Sequence, residues 1–180
     1  RTGAVYEAGG TGNCTGTGVS YCYKILNSEN SAARIKVKTT KIDVWTYFQQ
    51  SGVTEYRSAG DANKKVEVIT EIILPDNTSY VFGYDSGDVQ GKFGLLTSMT
   101  LPTLGQVTFT YTTFADAQGN RQRWGNQRTS GGGTWAYTPA TCGTNCNKVT
   151  VNRPSGDETE YTFTLNKGAW NTQTRMFTGS

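Results

Sequence analysis

The sequence predicts an all-β fold: an array of antiparallel β-hairpins with a repeat of about 26 residues, forming an extended, twisted sheet or partial shell. Three observations predict it. Thr is present 29 times, aromatic residues make up 12% of the chain and Gly occurs 22 times, a composition that suits pleated, half-buried strands punctuated by turns. Apolar residues alternate with Thr, as in Val107-Thr108-Phe109-Thr110-Tyr111-Thr112, so every second side chain faces one side of a strand. The aromatic doublets Phe82-x-Tyr84, Phe109-x-Tyr111, Trp135-x-Tyr137 and Tyr161-x-Phe163 recur at spacings of 27, 26 and 26 residues.

The residues ahead of each doublet repeat as well. Leu74-Pro75-Asp76-Asn77, Leu101-Pro102-Thr103-Leu104-Gly105 and Arg153-Pro154-Ser155-Gly156 read as turns, and Thr129-Ser130-Gly131-Gly132-Gly133 takes that place in the third unit. A strand precedes each turn, at residues 66–74, 95–101 and 147–152. The hairpin units therefore fall around residues 66–90, 91–116, 117–142 and 143–170, within a repeat domain spanning 34–180. The eight doublet residues are expected to form the repeat core, since a lone hairpin cannot bury its own face.

Residues 34–48 alternate as a strand or hairpin, with Arg34, Lys36 and Lys38 on one side and Ile35 and Val37 on the other. Residues 1–33 read as an irregular Gly/Thr-rich segment, with one short helical turn at 29–34. Four Cys fall in two close pairs, Cys14/Cys22 and Cys142/Cys146, in polar loops. That arrangement suits two local disulfides, although four cysteines allow three connectivities. The alternatives are free thiols and a four-thiolate metal site, and the wide Cys14/Cys22 spacing counts against the latter.

The stretch LPDNTSYVFGYDSGDVQGKFGLLTSMTLP, residues 74–102, resembles the RHS or YD-repeat proteins of bacterial surfaces and secreted toxins. Tyr84-Asp85 matches the family's dipeptide, and Gly94-Leu95-Leu96-Thr97-Ser98-Met99 its returning strand. The likeness covers about residues 66–180, and only the first unit keeps Tyr-Asp. It implies a β-rich shell, stalk or fibre and not a catalyst. The family's self-cleavage signature is not recognisable, so neither autoproteolysis nor a toxin is carried over.

With no His in the chain, imidazole acid/base chemistry, His-based triads and His-ligated metals are excluded. Glu158 and Glu160 share a strand face as an acid/base pair would, but no second carboxylate cluster offers a partner and a solvated strand start beside the turn at Pro154 accounts for them. Asp85-Ser86-Gly87-Asp88 and Asp116-Ala117-Gln118-Gly119-Asn120 offer oxygen ligands for Ca²⁺, yet match no twelve-residue calcium loop, and turn chemistry explains them. Arg34, Lys36, Lys38 and Lys41 near Trp45 and Tyr47 form a basic-aromatic strip, which is also how an exposed strand resists aggregation. Net charge is only +3, too weak a field to indicate nucleic acid. Trp124, with Arg123 and Asn126, is the best exposed candidate for stacking a glycan ring. Asn13 and Asn77 stand in glycosylation triplets.

No stretch approaches the length of an apolar membrane helix. The reading is an extracellular or cell-surface structural protein without cofactor, nucleic-acid partner or enzymatic activity, which self-associates or continues into adjoining repeats of a larger chain. A carbohydrate-binding surface module is the alternative, and a glycan-active enzyme the third reading.

Overall fold

The computed structural model describes residues 4–8, 14–26, 32–164 and 170–178. Twelve strands follow one another: β1 (Val5–Ala8), β2 (Val19–Leu26), β3 (Ala32–Ile42), β4 (Val66–Ile73), β5 (Ser79–Tyr84), β6 (Leu96–Thr100), β7 (Gln106–Ala115), β8 (Arg121–Ser130), β9 (Gly133–Gly143), β10 (Cys146–Asn152), β11 (Glu158–Thr164) and β12 (Trp170–Phe177). They form one open antiparallel sheet whose strand order is the chain order. The all-β hairpin architecture expected from the alternation is therefore present, with the hairpins β4–β5, β6–β7, β8–β9 and β10–β11 among its strands.

Turn chemistry sets this register. At three of the repeat turns the first residue donates to the carbonyl four positions on: Leu74 to Thr78, Leu101 to Gly105 and Arg153 to Asp157, at 2.8–2.9 Å. The fourth residue bonds back to the first, and its φ is positive: Asn77 65°, Leu104 66°, Gly156 87°. This is a type I turn closed by a left-handed residue, the usual three-residue hairpin connection. Pro75, Pro102 and Pro154 occupy its second position, where a φ near −65° is required and proline has it fixed. In the third unit Gly131 and Gly132 make a two-residue loop between the paired Ser130 and Gly133.

The chain divides into two compact units, residues 1–46 with 56–106, and 47–55 with 107–180. In the first, cross-strand pairing places Tyr6, Tyr23 and Ile35 in one row, and Tyr21, Val37, Ile72 and Tyr80 in the next, all on one face. Phe82 and Tyr84 continue this face along β5, with Phe82 opposite Met99. In the second unit, Phe109, Arg128 and Trp135 form a row, as do Tyr137, Val151 and Thr159, and Pro139, Val149 and Tyr161. Within each unit the doublets thus lie on a single face.

They are not a sealed core. All eight doublet side chains are half-buried, and the buried apolar residues among those described are Cys14, Cys22, Val37, Val44, Val107 and Val149. Where no second layer packs over a sheet face, large rings on it stay partly wet.

Two expectations are corrected. Residues 1–33 are not irregular throughout, because β1 and β2 lie there. Val5-Tyr6-Glu7-Ala8 pairs with Tyr21-Cys22-Tyr23-Lys24, and Cys22 is tied to Cys14. The Gly/Thr-rich run masked a strand that its alternating tyrosines would have revealed. The helical turn is replaced by the start of β3 at Ala32, with 29–31 outside the described residues. The Cys142–Cys146 disulfide closes the β9–β10 connection, so both local pairings are present. Among the described residues no helix is long and apolar enough to cross a membrane.

Candidate functional site

A pocket of about 310 Å³ lies within the second unit, between the far end of the β7–β8 hairpin and the face of β9–β11. Its origin is a β-bulge. Thr110 pairs with Gln127 but Tyr111 pairs with Gly125, so Asn126 is an extra residue that bends the hairpin and inverts the facing of β8 beyond it. The pairing of β8 with β9 covers only Gln127 to Ser130. Released from β9, the rest of the hairpin folds over, and Phe114, Gln122 and Trp124, which share a face, look onto Pro139, Asn147, Val149 and Phe163.

The hairpin tip is latched. The backbone N–H of Ala117 donates to Asn147 Oδ1 at 3.0 Å, and Gln118 Nε2 donates to Asn145 Oδ1 at 3.1 Å. Arg121 fastens its other side, with its N–H on Gln50 Oε1 at 2.7 Å and Nη1 on Gln49 Oε1 at 2.8 Å. Phe114 and Trp124 meet at 65° with ring centroids 6.4 Å apart, so they form a corner rather than a stacked layer.

The charged groups at the rim are engaged. Asp116 accepts from the N–H groups of Gln118 and Asn120 at 2.9 and 2.8 Å, which closes the turn. Lys148 Nζ bonds Glu160 at 2.7 Å, and that bond holds the Glu160 carboxyl below its ordinary range.

Trp124 is half-buried in the pocket wall and not an exposed platform. Arg123, paired with Thr113, projects from the opposite face and donates to Thr113 Oγ1, while Asn126 in the bulge accepts from Thr110 Oγ1 at 2.9 Å. The trio read from the sequence therefore does not converge, because side chains alternate and a bulge intervenes. Phe114, Pro139, Asn147 and Val149 were missed; Phe114 falls out of the doublet register, and nothing short-range in the sequence announces that the hairpin folds back.

Elsewhere, the sequence candidates serve structure. Glu158 and Glu160 are on β11, and Glu160 is ion-paired as above. In the basic strip, Arg34 pairs with Glu7 at 2.9 Å, Lys38 with Glu71 at 2.7 Å, and Lys36 Nζ reaches Thr15 O at 3.2 Å. Asp88 holds Arg57 bidentately at 2.9 Å, and Arg57 stacks 4.1 Å over Trp45. Glu7 lies with both sulfurs of Cys14 and Cys22 inside 4.8 Å, but disulfide sulfurs are not thiolates and make no metal site there. Asn77 is the left-handed residue of the first turn, and Asn13 lies outside the described residues.

No protein-family model matches the chain, and no curated protein matches it.

Proposed function

We propose that the chain is an extracellular structural module of the RHS/YD-repeat kind, which builds a shell, stalk or filament by continuing its sheet laterally. The observation that supports this reading is the outer strand β12: every side chain from Asn171 to Thr178 is exposed, and Met176 is 77% exposed. At the other end of the strand order, β1 carries Val5 and Tyr6 at 60% and 56% exposure. Among the described residues each of these strands is paired on one side only. Unpaired N–H and C=O groups beside uncovered apolar side chains recruit a further strand, whether from another copy or from adjoining repeats of a longer chain.

The Tyr84-Asp85 dipeptide supports the family resemblance. The Tyr84 hydroxyl donates to Ile69 O at 2.7 Å, and Asp85 closes the loop to β6. Two disulfides are compatible with an oxidising, extracellular setting. Electron microscopy of the purified, oxidised protein tests the reading: it expects filaments or curved sheets, and a field of uniform single particles at every concentration overturns it.

A further inference from the structure

We infer that Tyr6 and Tyr23 form a site of oxidative cross-linking, joined as a dityrosine when a peroxidase and hydrogen peroxide supply the oxidant. The inference is independent of the edge-strand reading, since β1 pairs with β2 whether or not it accepts a further strand.

Register brings the two rings together. Tyr6 lies directly opposite Tyr23 in the β1–β2 ladder, so both side chains leave the same face, and residues so placed have Cβ atoms roughly 4.5–5.5 Å apart. Their ring centroids are 5.9 Å apart with an interplanar angle of 62°, an edge-to-face contact. Tyr21 is diagonal to Tyr6 and farther from it, at 6.5 Å and 50°. All three rings meet solvent: Tyr6 is 56% exposed, and Tyr21 and Tyr23 are each 36% exposed. Exposed side chains change rotamer within nanoseconds, so the edge of one ring can present its carbons in turn to the other.

The coupling balances as follows. Each phenol gives up one electron and its hydroxyl proton, and one hydrogen peroxide takes up both electrons and both protons and leaves as two waters. The two phenoxyl radicals join through a carbon ortho to each oxygen, and the hydrogens on those carbons move to the oxygens, which restores both phenols. Contact in a fixed register makes this step intramolecular, so it outruns the meeting of tyrosines on separate chains. No thiol competes for the radicals, because all four cysteines are in disulfides. The Cys14–Cys22 bridge ties residue 14 to β2 and not to β1. The Tyr6–Tyr23 bond ties β1 to β2 directly, on the face opposite Glu7 and Cys22.

The test treats the whole disulfide-intact chain, dilute and at neutral pH, with a haem peroxidase and hydrogen peroxide, then isolates the monomer band under denaturing, reducing conditions. Cleavage after glutamate separates Tyr6, in residues 1–7, from Tyr21 and Tyr23, in residues 8–29. The native protein is expected to show dityrosine fluorescence in the monomer band and to yield these two fragments joined, with a mass two hydrogens below their sum and the link at Tyr23. Tyr6→Phe and Tyr23→Phe keep the rings and remove the phenols, so each should lose the joined fragment, whereas Tyr21→Phe should retain it. Chain unfolded in urea should lose it as well. Fragments that stay separate in the native protein overturn the assignment. So does a link mapped to Tyr21, monomer fluorescence undiminished in Tyr6→Phe or Tyr23→Phe, or an equal yield of the joined fragment from unfolded chain.

Discussion

The carboxylate of Asp85 accepts a hydrogen bond from the backbone N–H of Leu95 at 2.5 Å, and its other oxygen accepts from Phe93 N–H at 3.2 Å. The two backbones also exchange bonds, Asp85 N–H to Leu95 O and Gly94 N–H to Asp85 O. One side chain thereby closes the connection between β5 and β6, residues 85–95. Asp85→Ala should destabilise the protein by about 1–3 kcal/mol, the cost of leaving a part-buried donor without its acceptor. Urea unfolding checks this, and an unchanged midpoint would remove Asp85 from the account of the Tyr-Asp dipeptide.

Gly133 tests the stacking of turns in the second unit. Its φ is +113°, and a Cβ there would stand 2.6 Å from Pro154 Cβ and 2.9 Å from Pro154 Cγ. The pyrrolidine ring cannot rotate away, so Gly133→Ala should cost about 1–3 kcal/mol through strain and overpacking. Gly131→Ala is the control: nothing lies within 4 Å of its added methyl, and its effect should stay within about 0.5 kcal/mol. Thermal melts of the two variants should separate clearly.

Acid should loosen the sheet. Glu7, Glu71 and Glu160 each have a pKa lowered from 4.5, chiefly by hydrogen bonds from Arg34, Lys38 and Lys148 respectively. A carboxyl with a depressed folded pKa contributes stability that is complete above its unfolded value and lost as pH falls through the folded one. The melting temperature should therefore be insensitive to these groups near neutrality and fall progressively below pH 4.5. Glu160→Gln should reduce the slope of that fall. An identical acid slope in the variant would show that the Lys148 pair contributes nothing.

The two disulfides should differ in accessibility. Cys14 and Cys22 are 1% and 0% exposed, whereas Cys142 is exposed at the surface. Under limiting reductant Cys142–Cys146 should be alkylated first, as read by peptide mass spectrometry. Each bridge closes a short loop, so removing either should cost about 2–3 kcal/mol on the chain-entropy account. Simultaneous labelling of all four cysteines in folded protein would contradict the burial of the first pair.

What was legible in the sequence is what short-range chemistry controls. Pro75, Pro102 and Pro154 mark turns because proline fixes the dihedral those turns need, and the alternation of Thr with Phe109 and Tyr111 marks faces because a strand repeats every two residues. The paired spacing of Cys14/Cys22 and Cys142/Cys146 was legible for the same reason. The strands β1 and β2 were obscured by the neighbouring Gly and Thr. The pocket was not legible, because the bulge at Asn126 inverts the facing of Trp124 relative to Arg128, and the approach of Ala117 to Asn147 joins residues 30 apart in sequence. Half-burial of the doublets depends on what packs over each face, which periodicity alone does not report.

The central claim is that the outer strands seek a further strand. Sedimentation velocity of the oxidised protein across a hundredfold concentration range, with wild type beside an Arg175→Pro variant on β12, tests it most directly. Proline removes an N–H from the ladder and is poorly tolerated where a new strand must pair. Wild-type mass should rise with concentration, and the folded variant should remain near monomer mass. A wild-type sedimentation coefficient that stays at the monomer value throughout, or association that the variant leaves intact, would contradict it.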